Sequence, residues 1–174
     1  MQLGSEPAKS KKRRQLQKAQ EIADLLNKKV YRTEMSDLLR RILEVQARDE
    51  DTKLRHLDLS SYSEITTDHI LWQVAQNCPE LTSITLSDCN NVTALGLRSL
   101  SMGLGYNLES INLSKCGSFT DAFIGVLTVR FYALKLINLS YCSQISNTAL
   151  QSISRGCSST LESLNLSFCT QVPS

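Results

Sequence analysis

The chain has 174 residues, of which 41% are hydrophobic and 21% charged, and its formal net charge is +2. That length suits one ordinary domain, and no apolar run reaches the roughly 18 residues that a transmembrane helix needs. The charge is unevenly placed: residues 1–30 carry eight Lys or Arg against three acids, and residues 31–174 carry eleven against fourteen.

The first residues, Met1 to Pro7, lack the apolar core of a secretory signal. A cytoplasmic location is therefore expected, with nuclear, ciliary and mitochondrial addresses left open. Residues 1–10 contain Gly, Ser and Pro and are expected to be disordered. Residues 11–29 read as a basic helix with Leu16, Ala19, Ile22, Ala23, Leu25 and Leu26 along one stripe. Its cations include Lys11, Lys12, Arg13, Arg14 and Lys18. A nuclear signal, a phosphate-binding arm and a solvated or protein-docking face all fit such a run. No aromatic residue precedes Tyr31, so base stacking is not available, and protein docking ranks above nucleic acid. A second helix is expected from Thr33 to about Arg48, with Met35, Leu38, Leu39, Ile42 and Leu43 on its apolar side. The division is an arm over 1–30, an N-terminal capping helix over 31–53, and a repeat domain over 54–174.

The repeat is explicit. Leu54-Arg-His-Leu57-Asp-Leu59-Ser-Ser-Tyr62 returns in four further copies, closing at Cys89, Cys116, Cys142 and Cys169. The closing residues are spaced 27, 27, 26 and 27 apart. A constant period of this size means stacked units, each too small to bury its own apolar face. Within a copy, Ser83-Ile84-Thr85-Leu86-Ser87 alternates, which predicts a short strand with Ile84 and Leu86 inward. Thr66, Thr93, Thr120 and Ser146 then offer hydroxyls as helix caps. Leu71, Leu97, Ile124 and Leu150, followed by Val74, Leu100, Leu127 and Ile153, supply two apolar columns at helical spacing. Each unit is predicted as strand, turn, helix and return. The fold class is α/β: a solenoid with parallel strands on the concave side and helices on the convex side.

Cys89, Cys116, Cys142 and Cys169 share one column, and Cys78 and Cys157 share another with Leu104 and Phe131. A position that exchanges Cys with Leu and Phe is apolar, so buried free thiols are expected. There is no CxxC pair and no His cluster, so no metal and no other cofactor is expected.

The pattern L-x-x-L-x-L-x-x-C, with Phe119-Thr120-Asp121 opening a helix and Cys78-Pro79-Glu80-Leu81 closing one, resembles the cysteine-containing leucine-rich repeat. The resemblance covers residues 54–169. It implies a protein-binding subunit, because that class occurs in substrate receptors of F-box ubiquitin ligases, mitotic-exit regulators and ciliary subunits. An F-box typically opens with Leu-Pro ahead of the repeats, and this chain has no proline between Pro7 and Pro79.

The candidate binding residues lie on the outward strand positions. Serine recurs at Ser60, Ser87, Ser114, Ser140 and Ser167, and such constancy suggests a turn hydrogen bond rather than a nucleophile. His56 and His69 are the two histidines; they are expected on different faces, so no acid-base pair is visible and no enzyme is expected. The next column varies as Ser61, Asp88, Lys115, Tyr141 and Phe168. Asp88, Lys115, Tyr141 and Phe168, with His56 and Asp58, form the expected protein-binding face, since exposed aromatics are enriched at binding hot spots. The bland alternative for Asp88 and Lys115 is an ion pair with each other. After Cys169 the sequence reads Thr-Gln-Val172-Pro173-Ser174, so the last repeat reads as incomplete, and the expectation is either a truncated chain or a neighbour covering that edge. The leading function is a non-enzymatic interaction module or scaffold subunit. The alternatives are a substrate-recognition subunit of an SCF-type ubiquitin ligase and a ribonucleoprotein component anchored by the basic arm.

Overall fold

The structure is a computed structural model, described here for residues 54–172. The expected arm, with Lys11, Lys12, Arg13, Arg14 and Lys18, and the expected capping helix lie outside the described residues.

The strands are β1 (His56–Asp58), β2 (Ser83–Thr85), β3 (Ser110–Asn112), β4 (Leu136–Asn138) and β5 (Ser163–Asn165). Between them run α1 (Asp68–Asn77), α2 (Ala94–Leu104), α3 (Asp121–Arg130) and α4 (Asn147–Cys157). A parallel pair needs a crossover, and each helix supplies one. The sheet is parallel in the order β1-β2-β3-β4-β5. Its register never slips: Leu57, Ile84, Ile111, Ile137 and Leu164 stand side by side.

The core lies between sheet and helices. Ile84, Leu86, Leu113 and Leu139 from the strand side are fully buried, as are Leu71, Leu97, Leu100, Ile124 and Leu127 from the helices. All six cysteines are free and buried. In the first cysteine column Sγ reaches back to a carbonyl of the preceding repeat: Cys116 to Leu86 O at 3.2 Å, Cys142 to Leu113 O at 3.2 Å and Cys169 to Leu139 O at 3.0 Å. Burial pushes the Cys116 thiol up to about 12 and those of Cys78, Cys89 and Cys142 up to about 11. These groups are packing elements with a weak donor, not nucleophiles.

Two devices bind neighbouring helices. Asp68 accepts from the Thr93 amide at 2.7 Å and the Thr93 hydroxyl at 2.6 Å. Asp121 does the same for Ser146, taking its amide at 2.8 Å and also its hydroxyl. The first turn of one helix thus holds the N-cap of the next. Gly103 and Gly156 provide the second device. A Cβ on Gly103 would meet the Ala75 carbonyl oxygen at 2.3 Å, and one on Gly156 would meet that of Thr128 at 2.6 Å.

Three expectations need correction. The cap of α1 is Thr67, not Thr66; Thr66 is buried and donates its hydroxyl to the Tyr62 carbonyl, closing a tighter turn. Leu150 is only half-buried, and Ala149 takes the inner place, because no further helix packs on α4 among the described residues. The serine column is not uniformly outward: Ser114 and Ser140 are buried.

Candidate functional site

The turns that leave the strands are built from side chain to backbone. Asp58, Asn112, Asn138 and Asn165 each turn Oδ1 onto the amide of the serine two residues on, at 2.8 to 3.0 Å. This is the Asx-turn that short amide and carboxylate side chains favour. Asp58, a candidate contact residue, is therefore already engaged by its own turn, and it also accepts from the Ser60 hydroxyl. Ser87 Oγ donates to the Ser114 carbonyl at 3.2 Å and lies 2.8 Å from Ser114 Oγ, knitting adjacent turns. The hydroxyls of Ser60, Ser87 and Ser114 take part in these turn bonds.

The residue after each of the last four serines has a left-handed backbone: Asp88 φ 63°, Lys115 φ 62°, Tyr141 φ 62° and Phe168 φ 64°. Ser61 lies instead in a short 3-10 turn, Ser60–Tyr62. Asp tolerates the left-handed region, but bulky residues there are outliers. The turns stay in register, since the amides of Asp88, Lys115 and Tyr141 donate to the carbonyls of Ser114, Ser140 and Ser167, each at 2.9 Å. The side chains consequently form a row, one per repeat.

Tyr141 and Phe168 stack in that row with ring centroids 4.4 Å apart and planes 12° from parallel. Their side chains remain 50% and 68% exposed. Asp88 Oδ1 accepts from Asn90 Nδ2 at 3.0 Å, within its own turn. Among the described residues the ion pair is Lys135 to Glu109, at 3.0 Å, so Asp88 and Lys115 do not pair with each other.

His56 lies apart from this row. It lines a shallow groove of about 400 Å³ along the strand entries, floored also by Ser83, Ser110 and Leu136 and rimmed by Glu109 and Lys135. His69 sits on α1 and stacks on Trp72 at 5.6 Å. No group of His, Cys, Asp and Glu is placed to hold a metal ion, and no helix is long and apolar enough to cross a membrane, among the described residues.

A second exposed apolar cluster was missed at the sequence level. Met102 and Tyr106 are 80% and 78% exposed where α2 ends, and Val129 and Tyr132 are exposed where α3 ends. Tyr106 stacks on Tyr132 at 4.8 Å. The Tyr132 amide donates to the Gly105 carbonyl at 2.8 Å, which holds the two loops together beside the rings.

No family model matches the chain. A chain in the crystal structure of the Rad7 and Elc1 complex in yeast is similar to it, with a TM-score of 0.62 and 20% sequence identity. The fold is a leucine-rich-repeat solenoid. The match covers 91% of this chain and 41% of that one, so this chain spans well under half of its neighbour's length.

Proposed function

We propose that this chain is a non-enzymatic protein-interaction module that binds its partner through the row of strand-exit turns. The observation that carries the reading is the stacked Tyr141–Phe168 pair. Both rings are exposed, and both sit on a backbone at φ 62° and 64° that bulky residues avoid. A left-handed residue costs roughly 1–2 kcal/mol unless it is Gly, Asn or Asp. The fold alone would favour Asn at both positions. Strained backbone clusters at functional sites, and large aromatics are the usual anchors of protein interfaces. The similarly folded neighbour was captured in a complex of two proteins, which supports a subunit role for this chain as well.

The test is affinity capture and mass spectrometry with the wild-type chain and a Tyr141→Asn/Phe168→Asn variant. A partner held by the first and lost by the second, at an unchanged or higher melting temperature, is the expected outcome. Equal capture by both removes the turn row from consideration and moves attention to Lys11, Lys12, Arg13, Arg14 and Lys18.

The thiol-to-carbonyl bonds that link successive repeats support assignment to the cysteine-containing class of leucine-rich repeat. That class favours a second reading, substrate recognition within an SCF-type ubiquitin ligase. Direct binding of a purified Skp-type adaptor is its test, and absence of binding ends it. The ribonucleoprotein reading predicts RNA affinity that falls steeply with salt and disappears on deleting residues 1–30.

A further inference from the structure

The row of turns has a chemical order. Along the sheet it runs Asp88, Lys115, Tyr141, Phe168, one residue per strand. Neighbouring strands lie about 4.8 Å apart, so a ligand crossing the turns meets one side chain per step. Two steps are aromatic and half-open. The next holds an ammonium with no ion pair among the described residues. The one beyond holds a carboxylate partly satisfied by Asn90. The neighbouring sheet positions, Asn112, Asn138 and Asn165, are neutral.

We infer that this row takes a peptide segment of a protein partner in which two apolar or aromatic residues adjoin a single acid. The inference rests on the reading that the Tyr141–Phe168 pair is the docking site, and it adds the partner's chemistry. The apolar residues cover the two rings, and the partner's carboxylate meets Lys115. Charge complementarity fixes the side of the rings on which the acid lies, since Lys115 flanks them on one side. A run of acids is rejected, because a second carboxylate would face Asp88 one step further on. Like charges set opposite each other act as the repulsive half of specificity.

A random peptide-display library panned against the whole chain, then against two variants, tests this. Wild-type chain is expected to select peptides with one Asp or Glu next to two apolar residues. Lys115→Glu should weaken those peptides roughly tenfold and, when panned itself, return Lys or Arg at the acidic position. Tyr141→Asn/Phe168→Asn should lose them all while keeping the wild-type circular dichroism spectrum, since Asn accepts the left-handed backbone. Peptides that need the rings but show no acid, and that ignore Lys115→Glu, overturn the inference and leave the docking site standing. Peptides that survive loss of both rings, or no selected peptides at all, overturn the docking site itself.

Discussion

At Phe168 two demands on one residue conflict. The backbone sits at φ 64°, which a Gly or Asn would relieve, and the ring stacks on Tyr141 at 4.4 Å. Relief of a left-handed residue is worth roughly 1 kcal/mol, and an aromatic pair contributes about 0.5–1.5 kcal/mol. Phe168→Asn is therefore expected to change stability by less than about 1 kcal/mol while costing most of the partner affinity; urea denaturation and a binding isotherm measure the two separately. Cys116 shows the opposite case. It is fully buried and its Sγ lies 3.2 Å from the Leu86 carbonyl oxygen. Cys116→Ser places a hydroxyl in that apolar slot and is expected to destabilise by roughly 1–3 kcal/mol, read as a lowered urea midpoint.

The helix caps act between elements. Asp121 belongs to α3 but satisfies the amide and hydroxyl of Ser146, the N-cap of α4. Asp121→Ala should cost about 0.5–2 kcal/mol and raise amide exchange at the start of α4 more than anywhere in α3. Gly103→Ala should also destabilise, because the new methyl meets backbone at 2.3 Å rather than a movable side chain; a fall of roughly 1–3 kcal/mol is expected. Strand and helix positions were legible because Ile84, Leu86, Leu97 and Leu100 recur at periods that differ between strand and helix. Thr93, Thr120 and Ser146 occupy the expected N-cap positions, and the hydroxyls of Thr93 and Ser146 accept helix amides while that of Thr120 makes no cap bond. The left-handed turn was not legible. Its usual markers are Gly and Asn, and this column shows Asp, Lys, Tyr and Phe. The row of candidate contacts could be picked out by its variability, but its strain could not. Nor could the Tyr106–Tyr132 cluster, whose rings meet across the loops that follow two helices and not at a recurring column of the repeat.

Over the whole repeat domain, burial grades along the stack. Ile84 and Ile111 are buried in β2 and β3, whereas Leu164 and Leu166 at β5 are half-buried. Among the described residues no strand pairs with the outer edge of β5. Stability in a stack is a sum of units and of interfaces between neighbours. Hydrogen exchange should therefore be slowest near residues 110–113 and faster over 163–168, with protection at β5 rising if a partner covers that edge. Equal protection across all strands would show that the outer unit needs no neighbour. Alkali provides a second global test. The Cys116 thiol is raised to about 12 and those of Cys78, Cys89 and Cys142 to about 11, against 9.0 unperturbed. The folded state keeps these protons when the unfolded state has lost them. Stability from this source is whole below pH 9 and declines as pH rises toward 12, and that alkaline decline is smaller in a chain with Cys78, Cys89, Cys116 and Cys142 replaced by Ala.

The same thiols give the molecule its own opening gauge. One is placed in each of four consecutive repeats, at Cys89, Cys116, Cys142 and Cys169, and each is sealed in the native state. A brief pulse of alkylating reagent, followed by digestion and mass measurement, would time the exposure of each repeat without any engineered probe. The order in which these four sites acquire mass would trace how the stack comes apart: from its ends inward, or in a single step.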